Sequence, residues 1–210
     1  CDEAFQHGAK LIYATVSSAD SLTQRALCKC DFVLMDSLVT HRLEFSQLKM
    51  SLQKSPCVRL ATEADLPAIE QISAECFSDR TYNVNRLNSD PSLDQSKVDS
   101  LYRLWMTNSV KGKLADEVHV YEEDGKILGF VTLKLPANDD ASIPLNAVAV
   151  GQHGKGIYTR MIHHVVAHVK EKGAKAIEIK TQLPNVSVHK AWARMGAAVV
   201  DSVHRFHRSV

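Results

Sequence analysis

The chain has 210 residues, of which 45% are hydrophobic and 23% charged. These proportions are typical of a globular protein and exclude a disordered or fibrous one. Twenty-five Lys and Arg against 24 Asp and Glu leave a formal charge of +1, so no strong field would collect nucleic acid or an anionic membrane. With no apolar run near the ~20 residues of a membrane helix and no secretory signal, we expect a cytoplasmic protein.

The chain has five cysteines, an odd number, and their spacing is not that of a disulfide framework. Both observations favour a protein whose thiols are reduced. Cys28 and Cys30 form a C-x-C pair with no second pair, so we do not expect a metal knuckle there. The chain opens on Cys1 rather than Met, and we therefore expect the natural N-terminus to lie upstream.

The first fifty residues are predicted to form a small α/β section. Residues 10–16 are apolar and β-branched, Ser17 and Ser18 offer N-caps for a helix, and residues 32–45 alternate like a half-buried strand. About 35 residues cannot bury a core alone. We therefore divide the chain into residues 1–50, which must dock on the rest, and a larger domain over residues 57–210, joined by a polar linker.

The larger domain is predicted to begin with a strand and two helices. Thr62 and Asp65 have the spacing of a capping box, and the helix that follows places Leu66, Ile69, Ile72 and Ser73 or Cys76 on one face. A polar stretch over residues 78–96 comes next. A second helix is indicated by apolar residues at Val98, Leu101, Leu104 and Trp105.

Strands and helices then alternate to the end of the chain. Asp124-Gly125 is a hairpin turn between strands over 118–121 and 127–133. A single apolar strand is predicted over 143–150, then a glycine-rich turn and a helix over 157–172 that Gly173 closes. The remaining predictions are a strand over 176–181, a helix over 185–195 ended by Gly196, and a strand over 199–206.

The glycine-rich turn is the informative motif. It lies between a strand and a helix, where backbone N–H groups at a positive helix end suit a phosphate. Gly154 and Gly156 let a ligand approach the backbone closely. Neither the P-loop nor the Rossmann spacing is present, and a two-glycine turn by itself does not identify a ligand.

With the order of elements added, residues 58–207 resemble the GNAT N-acetyltransferase superfamily. Gly154 and Gly156 resemble the glycines of its R/Q-x-x-G-x-G/A acetyl-CoA signature, Asn185 its helix-starting Asn, and residues 195–197 its helix end. A narrower likeness is to the dTDP-fucosamine acetyltransferase family, through scattered motifs: Arg80-Thr81-Tyr82, Asn88-Ser89-Asp90-Pro91, Leu101-Tyr102-Arg103-Leu104-Trp105, Asn108-Ser109, Gly112 and Thr181-Gln182.

The resemblance implies an α/β (α+β) fold with a mixed, mostly antiparallel sheet and helices on both faces. It implies acetyl-CoA as cosubstrate and an amine, on a nucleotide-linked amino sugar, as acceptor. The backbone of Val148 and Val150 would pair with the pantetheine arm, and N–H groups from Gly154 to Tyr158 would hold the pyrophosphate. The expected cofactor-binding set is Val148, Val150, His153, Gly154, Lys155, Gly156, Ile157, Tyr158 and Asn185, and the expected acceptor set is Arg80, Tyr82 and Thr181.

The main difference from the family lies at the residue that protonates the thiolate of coenzyme A as it leaves. The family commonly has a Tyr at that position, and this chain has Trp192. An indole N–H donates a hydrogen bond but gives up no proton near neutral pH. His189 shares the helical face of Trp192 and could be the acid, water could serve, or transfer could be absent. For the base, Glu75, Asp79, His119 and Tyr82 all stay open.

Three histidines on the long helix, His163, His164 and His168, offer a zinc-capable i, i+4 pair. No third ligand is evident in the sequence, so we interpret them as the polar face of the helix and predict no metal. Three functions stay in view: a GNAT for an amino-sugar nucleotide, a GNAT for a protein or polyamine, and a non-catalytic acyl-CoA-binding module. A homodimer is left open.

Overall fold

The computed structural model describes residues 2–78, 84–135 and 139–209, apart from the side chains of Asp2 and Ser78. Within these residues seven α-helices accompany two β-sheets. The helices are α1 (Asp2–Gln6), α2 (Ser21–Lys29), α3 (Leu66–Ser78), α4 (Arg86–Ser89), α5 (Gln95–Val110), α6 (Ile157–Glu171) and α7 (Val186–Met195). None of these helices is long and apolar enough to cross a membrane.

Nine strands build the sheets in the described parts of the chain. They are β1 (Leu11–Ser17), β2 (Val33–Glu44), β3 (Val58–Leu60), β4 (Glu117–Glu123), β5 (Lys126–Leu133), β6 (Asp140–Ile143), β7 (Asn146–Val148), β8 (Ala176–Gln182) and β9 (Ala198–Ser209). One sheet has the order β1-β9-β2-β8-β6 and the other the order β3-β4-β5-β7. Strands β6 and β8 pair in parallel, and the other strand pairs described are antiparallel.

The N-terminal strand, helix and strand lie where the sequence places them, and their strands enter the first sheet. Strand β9 runs between β1 and β2, and β2 also pairs with β8. The predicted cap of α2 is wrong: Asp20 rather than Ser17 or Ser18 is the N-cap, and its carboxylate accepts a hydrogen bond from Thr23 N at 3.0 Å. A carboxylate reaches the first-turn N–H groups and also complements the positive helix end.

The ladder between β2 and β9 contains two irregularities. Leu34 lies opposite Phe206 and Asp36 opposite Arg205, so Met35 is an extra residue on β2. Further along, Thr40 lies opposite Asp201 and His41 opposite Val199, so the extra residue there is on β9. Such bulges change the face toward which the following side chains point.

Two apolar cores stabilise the sheets. The first packs α6 and α7 against the strands, and the predicted α6 stripe of Ile157, Met161, Val165 and Val169 is buried in it. The second lies under α3 and α5, where Ile69, Ile72 and Cys76 are buried as predicted. Spacing of four residues along a helix puts such side chains on one face. The capping box of Thr62 and Asp65 is also confirmed, on a short 3₁₀ turn before α3.

The buried face of α5 differs from the predicted one. Its buried residues are Val98, Tyr102, Met106 and Ser109, whereas Leu101 and Leu104 are exposed. Steps of four, four and three residues form one continuous stripe along a helix. The stripe contacts α3, and the two leucines lie to one side of it.

The single strand predicted over 143–150 is also wrong. The structure has two short strands there, β6 in the first sheet and β7 in the second, separated by Pro144 and Leu145. Proline has no N–H for a ladder and interrupts a strand. The chain therefore crosses from one sheet to the other at this point.

Gly196, which ends α7, has a φ of 104° and its added Cβ would lie 2.6 Å from the carbonyl oxygen of Gln47. We expect Gly196→Ala to lower the free energy of unfolding by about 2 kcal/mol or more, since left-handed backbone alone costs an L-residue about 1–2 kcal/mol. Urea denaturation measures this. The control is Gly173→Ala, with φ 91° and open space around its Cβ. Equal losses in the two variants would contradict the steric part of the explanation.

Candidate functional site

The crossing at Pro144 opens a cleft between the two sheets. Strands β6 and β8 pair as far as Ile143 and Ile179, after which β7 leaves to pair with β5 while β8 continues beside β2. The diverging edges enclose a cavity of about 270 Å³. Its walls include Leu145 and Asn146 on one side, Thr181 and Gln182 on the other, and Asn185 and Val188 from α7.

The β7 edge of this cleft has no partner strand in the described parts of the chain. Thr132 N donates to Leu145 O at 2.8 Å, and Ala149 N donates to Leu128 O at 2.9 Å, so these odd-numbered residues use their backbone groups toward β5. Along an antiparallel strand, the N–H and C=O groups of successive residues point alternately to one side of the strand and to the other. Those of Asn146 and Val148 therefore point toward the cleft, where an extended ligand can pair with them as an added strand would.

Two side chains reach the cleft-side carbonyl of Val148. The Cys76 thiol lies 3.3 Å from this oxygen and His153 Nε2 lies 3.2 Å from it. Burial, with a smaller contribution from Glu75, raises the pKa of the Cys76 thiol to about 12, which keeps it protonated. Val150 lies beyond the end of β7 and packs on the second core.

The glycine turn lies at the beginning of α6, immediately after β7. Gly154 and Gly156 have φ of 79° and 76°, and a Cβ on either would meet nothing within 4 Å. Gly156 is the N-cap of α6 and no side chain caps the first turn. The first N–H groups of the helix therefore lack a side-chain acceptor, as an anion-binding helix end requires. Lys155 is exposed and donates to Gln152, and Ile157 is buried beneath the turn.

On the opposite wall of the cleft, two predicted site residues are hydrogen-bonded to each other. Asn185 Nδ2 donates to Thr181 Oγ1 at 3.1 Å, and Ser187 Oγ donates to Asn185 Oδ1 at 3.0 Å. Both Thr181 and Asn185 line the cavity. The end of β8 and the start of α7 are thus held together at the cleft.

Trp192 is fully buried between α6 and α7. Its Nε1–H donates to the hydroxyl of Tyr158 at 2.9 Å. The phenol keeps its own proton, because burial raises the pKa of Tyr158 above its usual value, although the Trp192 hydrogen bond opposes this. At the position on α7 where the family resemblance implies an acid, this chain therefore has Trp192, which is hydrogen-bonded to the hydroxyl of Tyr158 on α6.

His189 faces β2. Its Nδ1 lies 2.6 Å from His41 Nε2, and its Nε2 lies 3.2 Å from Gln182 O and 3.1 Å from Leu183 O. Both ring nitrogens are therefore engaged away from the cavity, whose lining does not include His189. Burial, followed by the neighbouring His189, lowers the pKa of His41.

One end of the cleft carries two arginines that the sequence did not predict to lie together. Arg86 and Arg205 both line the cavity. Arg205 Nε donates to Asp36 Oδ1 at 2.6 Å, and the backbone N of Arg86 donates to the other oxygen of the same carboxylate at 2.9 Å. The Arg86 guanidinium stacks on the ring of Tyr13, 4.8 Å from its centroid, and has no carboxylate partner in the described parts of the chain. Asp36 thus accepts from one guanidinium and one backbone N–H, and Nη1 of the Arg86 guanidinium lies 3.4 Å from Nε2 of His207.

Aromatic rings flank this end. Tyr102 and Trp105 line the cavity with nearly parallel rings, 5° apart and 6.3 Å between centroids. Arg205 and Asp36 are 169 residues apart, and no local sequence pattern could have joined them. Trp105 was predicted as an apolar residue of α5 and as part of the motif over residues 101–105, without a role in the site.

Other predicted candidates lie elsewhere. Glu75 is exposed on α3, where it accepts a hydrogen bond from Gln71. His119 is buried on the face of β4 that packs on α6, outside the cavity lining. Asp79, Arg80 and Tyr82 lie outside the described residues.

Comparisons with solved structures show the same fold. A GCN5-related N-acetyltransferase from Sphaerobacter thermophilus aligns over 99% of this chain and 64% of its own, with a TM-score of 0.66 and 12% identity. A GNAT-family acetyltransferase from Colwellia psychrerythraea aligns over 95% of this chain and 65% of its own, with a TM-score of 0.60 and 18% identity. The mixed, mostly antiparallel α/β fold expected from the sequence is confirmed.

Comparisons of sequence identify the family. The spore coat polysaccharide biosynthesis protein SpsD of Bacillus subtilis (strain 168) is 24% identical over 143 residues, which are 68% of this chain and 47% of SpsD. The chain thus spans about half the length of that relative. A sequence profile of the acetyltransferase (GNAT) family matches residues 67–197, more than half of the chain. The chain belongs to the GNAT acetyltransferase family.

Proposed function

We propose that this protein transfers the acetyl group of acetyl-CoA to a primary amine carried by an anionic small molecule, with an amino-sugar nucleotide as the acceptor. The observation that carries the proposal is the cleft between β7 and β8, with no partner strand on one edge among the described residues and an uncapped helix end at its mouth. The family supports acyl transfer in general. The acceptor is inferred from the charges and rings at the other end of the cleft.

The residues fit acetyl-CoA in two places. The open space over Gly154 and Gly156 and the first N–H groups of α6 suit a pyrophosphate. The cleft-side backbone of Asn146 and Val148 suits the amides of a pantetheine arm. When bound, the thioester supplies an activated acetyl group: the amine nitrogen forms a bond to its carbonyl carbon, the C–S bond breaks, the amine loses a proton and the thiolate gains one.

The acceptor class follows from Arg86, Arg205 and the neighbouring rings. Asp36 neutralises the Arg205 guanidinium, and the nearby Asp90 is paired with His207 at 2.7 Å. The Arg86 guanidinium has no direct carboxylate partner among the described residues and is the group that an anionic acceptor would meet. Guanidinium groups match phosphate oxygens in geometry. The flat surface of Trp105 offers a stacking partner for a nucleobase. A polyamine acceptor, which carries cationic groups alone, would be repelled by these guanidinium groups.

The proton for the thiolate is assigned to Tyr158 in this proposal. Its hydroxyl accepts a hydrogen bond from Trp192, which leaves its own O–H to donate, and the ring packs on the first core at the start of α6 rather than in the cavity lining. The phenol would thus replace the tyrosine that the family carries at the position of Trp192. A non-catalytic acyl-CoA-binding module is the second candidate, and the Trp192 substitution is the observation that favours it. Free thiol released in the presence of an amino-sugar nucleotide would exclude that candidate.

For the cosubstrate, we expect acetyl-CoA to raise the melting temperature of the protein, because a ligand that binds only the native state stabilises it. Gly154→Val and Gly156→Val should abolish this shift by filling the pyrophosphate path. The matched control is Gly112→Val, also at positive φ with open space around its Cβ. The control should lower the melting temperature of the free protein and preserve the shift. A full shift in both turn variants would contradict the assignment.

For the acceptor, Arg86→Ala should raise KM for an amino-sugar nucleotide at least about tenfold, because a lost charge-assisted hydrogen bond is worth roughly 1.5–3 kcal/mol. The KM for acetyl-CoA should change little. Arg103→Ala, on the exposed face of α5, is the control. If both KM values rose together, Arg86 would have a structural role only.

For the proton, Tyr158→Phe should lower kcat at least about tenfold, toward the 10²–10⁴-fold typical of general acid catalysis. His189→Gln should change kcat less than about twofold, since its ring is engaged on the β2 side. Steady-state thiol release measures both. A normal Tyr158→Phe would assign the proton to water, and a loss confined to His189→Gln would restore His189 as the acid.

A further inference from the structure

A cluster of histidines and one carboxylate lies between β4 and α6, apart from the cleft. Glu117 and His119 are two residues apart on β4, so both side chains point to the face that packs on α6. His164 and His168 are four residues apart on α6 and share the helix face that meets them. The pair of His164 and His168 therefore lies beside further candidate ligands, which come from a strand about fifty residues earlier in the chain.

The polar atoms of this cluster converge. The Nε2 atoms of His119 and His168 lie 3.0 Å and 2.7 Å from the same oxygen, Oε2 of Glu117. One potential ligand atom from each of the three residues lies within 4.8 Å of the others. The ring of His119 is 4.9 Å from that of His168 and 5.6 Å from that of His164. Three potential ligand atoms therefore surround one small volume, and the ring of His164 lies beside them.

One ring nitrogen of His119, not the one that meets Glu117, is left without a partner in this cluster among the described residues. The His119 side chain is only 3% exposed, and its Nδ1 is buried without a hydrogen-bond partner in the part of the chain that the structure describes. A buried polar atom without a partner is costly. His164 is held by the backbone of Ser55: its Nδ1 lies 3.2 Å from both the O and the N of that residue. In the tautomer whose Nδ1–H donates to the carbonyl, Nε2 presents a lone pair, as in metal-ligating histidines, and a bound metal ion would select that tautomer.

We propose that Glu117, His119, His164 and His168 form a binding site for a divalent transition metal, with Zn²⁺ as the ion. Three imidazole nitrogens and one carboxylate oxygen are a four-ligand N/O set that Zn²⁺ accepts, whereas Ca²⁺ and Mg²⁺ select oxygen ligands. At Zn–ligand distances near 2.0–2.1 Å, tetrahedral ligand atoms lie roughly 3.4 Å apart. Small side-chain rotations bring Glu117, His119 and His168, whose ligand atoms lie within 4.8 Å of one another, to that spacing, and the ring of His164 would turn to supply the fourth ligand.

The site is structural rather than catalytic. His168 lies eleven residues beyond Ile157 on α6, about 16 Å along the helix axis from the glycine turn. A bound ion would join β4 to the second half of α6. Lys172 Nζ is 2.6 Å from the other oxygen of Glu117, Oε1, and holds that carboxylate in place.

The test is a titration of the purified protein with Zn²⁺ and Co²⁺ in a Cys28→Ser/Cys30→Ser background, because exposed thiols also bind zinc. We expect one equivalent to bind. A hundredfold excess over Kd should raise the melting temperature by about 5–10 °C. The Co²⁺ complex should show the visible bands of a tetrahedral site and no thiolate charge-transfer band.

Variants connect the signal to these residues. His119→Gln and His168→Gln should each weaken Zn²⁺ binding by at least about a hundredfold, more than a supporting residue would. His163→Gln, the neighbour on α6 outside the cluster, should leave binding unchanged. Absence of stoichiometric binding by the parent protein, which needs no folded variant, would overturn the proposal. Binding that survives in both His119→Gln and His168→Gln would also overturn it. Neither measurement depends on acetyl transfer.

Discussion

The parting of β7 from β8 is the constraint on which the rest of the structure depends. A parallel pair that continued past Ile143 and Ile179 would consume the backbone groups of both strands. Pro144 cannot donate to that ladder, and the chain instead joins β5. One strand edge is thereby left without a partner strand among the described residues, and Cys76 and His153 reach only one of its carbonyls, that of Val148. Backbone groups without partners are costly, so an extended ligand that pairs with this edge would stabilise it.

The N-terminal section contributes to the site as well as to the fold. Asp36 of β2 pairs with Arg205 of β9 and anchors the backbone of Arg86, so the positions of both cleft arginines depend on a carboxylate from the first fifty residues. Tyr13 of β1 supports the Arg86 guanidinium from the other side. The arginine end of the cleft is therefore shaped by strands outside residues 67–197, which the family profile matches.

Features that depend on neighbouring residues were predictable from the sequence. The α6 stripe from Ile157 to Val169, the Asp124-Gly125 turn with both φ values positive, and the Gly196 end of α7 follow from local periodicity or backbone preference. Features that depend on distant partners were not. Apolar residues on both sides of Pro144 look alike in sequence, although they join different sheets. The side chains that surround His168 come from a strand some fifty residues earlier.

The two bulges in the β2–β9 ladder act together. Met35 is an extra residue on β2 and a later extra residue lies on β9, so the second cancels the offset introduced by the first. Leu34 faces the groove beneath α2, whereas Asp36 and Leu38 face the cleft. Without the bulge, Asp36 would share the side of Leu34 and its charge would point away from Arg86. Met35 therefore decides which face of β2 each later side chain points to. Because Met35 has no partner on β9, its deletion would leave every later residue of β2 opposite the same partner and on the same face.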